Sequence, residues 1–295
     1  MRRRWFALAV AASVQASSPL PAAPITFNTA LPVTEGEGIF RIQAQRFAFA
    51  EEAGSDLEVD ALPMVAVWGF TPRLTLFAIV PVLDKELTVE TPAGGVARGD
   101  SGLGDATLLA RYTLLQRDAA GSTLRLAPFL GVEAPSGRDD AADALGQLPQ
   151  PLQLGSGSWD LLAGFVATRQ TLAWQLDGSV SYQANTAAND FERGDVARLD
   201  LSYQHRVAPR DLAGGVPDFV YAVLESNVVW QDRDEAAGRQ VADSGGTTWY
   251  LAPGIQYVTK RLVFEAAVQL AVAQDLHGVA RESDWIGTLS ARVNF

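Results

Sequence analysis

The last eleven residues constrain the fold most, because they alternate between apolar and polar types and the chain then stops on an aromatic. Residues 285–295 read W-I-G-T-L-S-A-R-V-N-F. Successive side chains of a strand point to opposite faces, so Trp285, Leu289, Val293 and Phe295 share an apolar face. The last strand of a transmembrane barrel needs an apolar outward face and a polar inward face. We interpret these four residues as a barrel-assembly signal, although a terminal strand of a soluble sandwich can alternate in the same way.

The start of the chain has the layout of a secretory signal peptide. Arg2, Arg3 and Arg4 precede an apolar run at 5–14, and small residues follow. This run is too short to span a bilayer as a helix, which needs about 20 residues. We therefore predict a signal peptide at 1–16, with cleavage as late as residue 23. An uncleaved anchor is the alternative.

Composition excludes several classes of protein. The chain contains no cysteine, so a secreted form of it has no disulfide framework. A net charge of −11 disfavours nucleic acid as a partner, because phosphates would repel the chain. Mean hydropathy is only +0.06, and no later stretch is apolar for 20 residues, which excludes a helical membrane protein. A barrel remains possible because half of each strand faces its lumen.

The middle of the chain contains about twelve alternating runs, and the connections between them alternate in length. Shorter connections lie near 71–73, 117–121, 169–171, 208–217 and 259–261, and longer ones near 51–56, 92–101, 135–156, 185–195, 232–246 and 275–283. Outer-membrane barrels have short periplasmic turns and longer outside loops. The sequence therefore predicts an all-β, antiparallel, up-and-down transmembrane β-barrel of about 12 strands at 37–295, preceded by a periplasmic lead-in at 24–36. Its predicted location is the bacterial outer membrane, with the lipid bilayer and the barrel-assembly machinery as partners.

Charged residues recur on the predicted inward faces of these strands. They are Arg41, Asp105, Arg111, Arg125, Glu133, Asp177, Asp200, Arg206, Glu225, Glu265 and Arg292. Buried charge must be paired or hydrated. These residues either line a hydrated path for a solute or fill a narrow barrel as salt-bridged pairs. A twelve-stranded barrel lies between filled eight-stranded barrels and open porins, and we expect a narrow or partly occluded lumen.

One stretch resembles a known family. Residues 101–112 read S-G-L-G-D-A-T-L-L-A-R-Y, and A-P-S-G at 134–137 and L-G-S-G-S at 154–158 flank the longest loop. With the run at 159–165 and the terminal R-V-N-F, these motifs resemble the outer-membrane barrel transporter family named for the MetA pathway of phenol degradation. The resemblance implies a barrel with a role in uptake of small, often aromatic, compounds. It implies no catalytic residues.

The sequence offers little for catalysis or for a metal. Its two histidines are His205 and His277, and Ser202, which neighbours His205, points to the other face of its strand. A hydrolase needs its nucleophile, base and orienting group together. Loop acids near 139–143 and 232–235 form no calcium-loop pattern. We therefore expect no enzyme, no metal and no cofactor.

The sequence predicts a channel or transporter for passive uptake of small-molecule solutes, aromatic or hydrophobic ones among them. Three alternatives stay open. The first is a barrel that does not transport and serves the envelope structurally or through a partner. The second is a lipid hydrolase on the outer wall, and the third is a soluble secreted sandwich.

Overall fold

The computed structural model describes residues 23–50, 54–91, 94–210 and 218–295. The predicted signal peptide at 1–16 lies outside these residues. Strand dominates the described part of the chain, which contains one short 3₁₀ turn, Gln150–Leu152, and no α-helix. In that part no helix reaches the length and apolarity that a membrane-spanning helix needs.

Twelve long antiparallel strands make up the main sheet of the described residues. They are β1 Gly38–Phe49, β2 Ser55–Gly69, β3 Leu74–Thr91, β4 in the three parts Gly94–Leu103, Ala106–Tyr112 and Leu115–Ala119, β5 Ser122–Ala134, β6 Asp160–Thr171, β7 Trp174–Ala184, β8 Val196–Ala208, β9 Phe219–Gln231, β10 Gly246–Val258, β11 Leu262–Leu276 and β12 Ser283–Asn294.

The sheet closes on itself. Each strand pairs with its sequence neighbours, and β1 also pairs with β12 from Ile39↔Asn294 to Phe49↔Ser283. The seam is completed where the Gly38 amide donates to the Phe295 carbonyl (2.8 Å) and the Phe295 amide to the Gly38 carbonyl (3.0 Å). A closed ring leaves no strand edge unpaired, which is the condition for a sheet to stand in hydrocarbon. The predicted twelve-stranded barrel is confirmed.

The two faces of the wall are inverted relative to a soluble protein. Leu130, Leu289 and Phe295 are 63–68% exposed, whereas Asp177, Gln204 and Gln256 are fully buried. Large apolar side chains normally go inside and acids outside. Here the ring places leucines, valines and aromatics outward around its circumference, where only lipid covers them. This arrangement rules out the soluble sandwich.

Connections sort to two ends of the ring. Both ends of the barrel chain, Gly38 and Phe295, lie at the end that also holds the connections 70–73, 120–121, 172–173 and 259–261 and residues 209–210 and 218; we call it the short-turn end. The opposite, long-loop end holds residues 135–159, 185–195, 232–245 and 277–282. Short two-residue strands pair some of these loops with one another, as Phe191–Glu192 pairs with Glu235–Ala236.

One predicted loop is wrong. Residues 92–101 were expected to be a glycine-rich connection, but Gly94–Leu103 is a strand that pairs with β3 from Thr91↔Gly94 to Val82↔Leu103. β2, β3 and β4 therefore extend beyond their neighbours in the ring at the long-loop end. Pro63 and Pro81, which face each other in β2 and β3, do not exclude these strands from the ring. The β1–β2 ladder instead lacks its pairs beside Pro63.

Close packing between β5, β6 and β7 gives a test of the wall. A methyl group on Gly164 would lie 2.4 Å from both the Phe129 ring and the Val180 carbonyl oxygen. Overpacking of this kind costs about 1–3 kcal/mol, so Gly164→Ala should lower the midpoint of urea unfolding in lipid vesicles. Gly178→Ala is the matched control, because its methyl would meet only the flexible end of Leu201 at 3.3 Å. Equal midpoints for both variants would contradict the packing described.

Candidate functional site

The segment before β1 occupies the barrel interior. It begins at Ala23, whose carbonyl accepts a hydrogen bond from the Gln256 amide, and it reaches the middle of the wall at Thr26. It leaves at the short-turn end, where the Gly36 amide donates to the Gly69 carbonyl (2.9 Å). We call residues 23–34 the arch. Residues 25–33 of the predicted periplasmic lead-in at 24–36 lie against the inner wall.

Apolar side chains of the arch pack on apolar patches of the inner wall. Ile25 is 1% exposed and contacts the cluster around Val223 and Val263, and the fully buried Ala30 packs with Ala127 and Val166. Val33 packs against Val67 and Phe77 nearer the short-turn end. Burying a side chain of this size contributes about 1.5–3 kcal/mol. The arch is therefore docked on the wall, not merely enclosed by it.

A carboxylate on β9 binds the amides of the arch. Glu225, 1% exposed, accepts from the Ile25 amide (2.7 Å), the Thr26 amide (3.0 Å) and the Thr26 hydroxyl (2.6 Å). Ser202 on β8 donates to the same carboxylate at 3.1 Å. The arch has no ladder partner here, so its N–H groups need side-chain acceptors. The two carboxylate oxygens of Glu225 are the acceptors for the Ile25 and Thr26 amides.

Arginines bind the carbonyls of the arch from the opposite arc of the ring. Arg41 on β1 donates to the Ile25 carbonyl (2.7 Å). Arg111 on β4 donates to the Leu31 carbonyl (2.6 Å) and to the Thr29 carbonyl. Arg41 also lies 2.7 Å from the Glu265 carboxylate in a close ion pair. The backbone groups of the arch therefore face in two directions: its N–H groups face a carboxylate, and its C=O groups face arginines.

The remaining mid-wall carboxylates belong to the same network. Asp177 on β7 accepts from Thr168 and from Gln175 (2.8 Å), and Thr168 in turn accepts from the Ala30 amide (2.7 Å). Asp200 on β8 accepts from Asn227 (2.8 Å), and Asn227 also donates to the Thr26 hydroxyl. The acids of this network thus lie on β7, β8, β9 and β11, and the arginines that bind arch carbonyls lie on β1 and β4.

The other predicted inward residues lie nearer the two ends or beside the arch. Arg125 pairs with Asp118 at 2.7 Å at the short-turn end, and Arg206 lies over the Phe219 ring. Asp105 accepts from the amides of Gly137 (2.9 Å) and Ser156 (2.6 Å). Glu133 is half-buried beside Thr107, and Arg292 is 9% exposed. That the eleven residues line a path for a solute stays a prediction.

Two cavities flank the arch. The larger, about 420 Å³, lies on the long-loop side between β8, β9, β10, β11, β12 and β1. Phe47, Phe49, Tyr250 and Ile286 give it apolar walls, and its polar lining includes Arg198, Gln269, Gln274 and Thr26. The smaller, about 210 Å³, lies on the short-turn side beside Arg111, Arg292 and Phe77. The arch separates the two.

A family comparison covers most of this barrel. The model of the family described as "Putative MetA-pathway of phenol degradation" matches residues 43–274. The chain belongs to that family. No curated protein matches it.

A solved structure shares the architecture of this MetA-pathway family member. The COG4313 outer membrane channel from Pseudomonas putida F1 superposes with a TM-score of 0.63 at 18% identity, over 93% of this chain and 100% of that one. The β domain of the Bordetella autotransporter BrkA is 16% identical over 88% of this chain and 100% of that one, with a TM-score of 0.46. The first likeness shows the fold of an outer-membrane barrel, and with the lipid-facing wall it places this family member in the outer membrane.

The long-loop mouth of this family member is partly covered by its longest loop. Leu152 is fully buried and packs with Leu148, Ala141, Leu57 and Leu87, and Lys85 donates to the Gln153 carbonyl (2.6 Å). Asp84 and Glu86, its outward neighbours, are exposed charges, so this level lies beyond the apolar band. Burial lowers the pKa of Lys85 to about 8, and nearby Arg193 acts in the same direction.

The residues that hold the arch were only partly predicted. Thr168, Gln175, Asn227 and Gln256 are inward and polar, but they carry no charge and were not among the predicted site residues. Ser202 is 1% exposed on the inner face, whereas His205 is exposed on the outer face beside Tyr203. The two cannot act as nucleophile and base in this arrangement. No cluster of three metal-binding side chains occurs among the residues described.

Glu225 gives a direct test of the arch. Glu225→Gln keeps the size of the side chain but removes the charge that accepts two arch amides, each such bond contributing about 1.5–3 kcal/mol. Since the chain has no cysteine, a single Asn28→Cys can report on the arch by its labelling rate with a thiol reagent. We expect faster labelling in Glu225→Gln. Glu133→Gln is the control, because Glu133 contacts no arch residue; equal rates in both variants would oppose this docking scheme.

Proposed function

We propose that this chain mediates passive uptake of small molecules, aromatic or hydrophobic ones among them, across the outer membrane. The observation that carries the proposal is the cavity of about 420 Å³ inside a closed ring. Ligand pockets have volumes of about 300–1,000 Å³ and combine apolar walls with a few polar groups. The family description, with its reference to phenol degradation, supports a small aromatic solute.

The cavity has the chemistry for a ring compound that carries one polar substituent. Phe47, Phe49 and Tyr250 offer aromatic surface, against which another ring packs favourably. Gln269 and Gln274 offer both hydrogen-bond donors and acceptors. The cavity lies on the long-loop side, which we assign to the cell exterior because the short turns of outer-membrane barrels are periplasmic.

The arch is the barrier between this cavity and the short-turn side. A solute that reaches the cavity therefore passes only when the arch shifts or loosens. In this proposal, Glu225, Arg41 and Arg111 hold the arch, and the other eight inward charged residues hydrate the path beside it. Insertion of the barrel uses the outward residues of β12, Trp285, Leu289, Val293 and Phe295, as the signal for the barrel-assembly machinery.

Filling the cavity tests transport. Val229 lines it from β9, and Val229→Trp should reduce accumulation of radiolabelled phenol several-fold in cells whose own copy of the gene is deleted. Val228→Trp is the matched control, since Val228 pairs with the exposed Leu199 and Trp249 on the outer face. Uptake equal to that of the deletion strain in both variants and in the unmodified protein would favour a barrel that does not transport.

Loosening the arch tests the barrier. Arg111→Gln removes the guanidinium that holds the Thr29 and Leu31 carbonyls, so single-channel conductance in planar bilayers should rise. Arg125→Gln removes the same charge from the inner wall, but Arg125 bonds only with residues 118–124 and should leave the arch in place. Heat-modifiable gel migration confirms that both variants are folded. Unchanged conductance in Arg111→Gln would refute the arch as the barrier.

A further inference from the structure

Two arginines flank one leucine on the lipid-facing wall near the short-turn end. Arg117 in the last part of β4 pairs with Leu124 on β5, and Arg169 on β6 pairs with the same Leu124 from the other side. Neighbouring strands are about 4.8 Å apart, so the two arginine backbones are roughly 10 Å apart. Side chains of this length reach a common point between them. From this placement we propose that Arg117 and Arg169 bind the phosphate of an anionic phospholipid in the leaflet at the short-turn end.

Neither guanidinium forms an ion pair within the described residues. Both arginines are exposed, and the nearest acid in sequence, Asp118, faces the lumen, where it binds Arg125 and Thr123. The outward positions of β5, β6, β7 and β8 contain no carboxylate. A pair of guanidinium groups without a protein anion is suited to bidentate binding of a phosphate.

Aromatic residues place this pair at the level of lipid headgroups. The Arg169 guanidinium lies 5.6 Å from the centre of the Trp174 ring. Trp174 faces outward opposite His205, which stacks with the exposed Tyr203. Trp and Tyr are enriched where membrane meets water. The headgroup therefore meets an arginine that is already oriented by an interfacial ring.

Charge at the opposite end argues against lipid A as the occupant. On the outer wall near the long-loop end, Glu58 lies directly opposite Glu86, and Asp60 directly opposite Asp84. Arg46 on β1 forms an ion pair with Glu58 (2.8 Å), so one arginine offsets only part of the charge of these four carboxylates. These pairs repel anionic headgroups there unless cations bridge them. The outer wall is thus acidic near the long loops and basic beside Leu124. We therefore assign the phosphate site to the leaflet at the short-turn end. This inference requires only the barrel in a membrane and is independent of transport.

Native mass spectrometry of the detergent-solubilised barrel tests the site. The unmodified protein, titrated separately with phosphatidylglycerol, phosphatidylcholine and lipid A, should retain phosphatidylglycerol best. The double variant Arg117→Gln/Arg169→Gln should weaken phosphatidylglycerol retention at least about tenfold, which corresponds to the loss of one charge-assisted contact. Arg169→Lys should give an intermediate loss, since an ammonium keeps the charge but not the planar fork.

The control is a second double variant of the same rim with the same change in charge. Arg73→Gln/Arg261→Gln removes two exposed arginines that lie on separate turns, so it should leave retention nearly unchanged. An equal loss in both double variants would show diffuse rim charge and overturn the site. Tighter binding of lipid A, or equal binding of phosphatidylcholine, would overturn the proposed occupant. Heat-modifiable migration of every variant excludes misfolding as the cause.

Discussion

The rest of the structure depends on how the arch satisfies its backbone. Residues 25–31 cross the inside of a closed sheet that has no free edge to offer them. Their N–H and C=O groups therefore need side chains or water. Glu225 takes the N–H groups of residues 25 and 26, and Arg41 and Arg111 take carbonyls of residues 25, 29 and 31. The acid that binds arch amides on β9 and the arginines that bind arch carbonyls on β1 and β4 match this need.

Ring closure makes so polar an interior tolerable. Hydrocarbon outside the wall gives the strands no reason to associate by apolar burial, so the continuous ladder holds them together. The lumen is then free of the requirement for an apolar core, and it can hold a buried acid such as Asp177 among polar side chains. The same freedom leaves a cavity on each side of the arch. A soluble barrel of this size would need those volumes filled with apolar side chains.

Sequence predicted the ring well and its contents poorly, for a physical reason. Strand alternation and turn length are local, so β12 and the hairpin at Arg169 are visible in a few residues. The Gly94–Leu103 strand was missed because its glycines and acids suit a turn, and only its pairing with β3 overrides that preference. The arch was missed because its partners are remote: the Ile25 amide binds a carboxylate 200 positions away. Charge on inward positions was predictable, but what that charge binds was not.

The energetics of the arch suit a barrier that opens. Six hydrogen bonds link it to Glu225, Arg41 and Arg111, and at about 1.5–3 kcal/mol each they contribute about 9–18 kcal/mol. Ordering residues 25–33 costs a similar amount, at about 1–2 kcal/mol per residue. Hydrogen bonds with Thr168, Asn227 and Gln43 hold it further, as does the apolar contact of side chains such as Ile25, worth about 1.5–3 kcal/mol. These contacts keep the arch docked at rest, and in the proposed transport a solute that competes for the same inner-wall groups offsets part of the cost of displacing it.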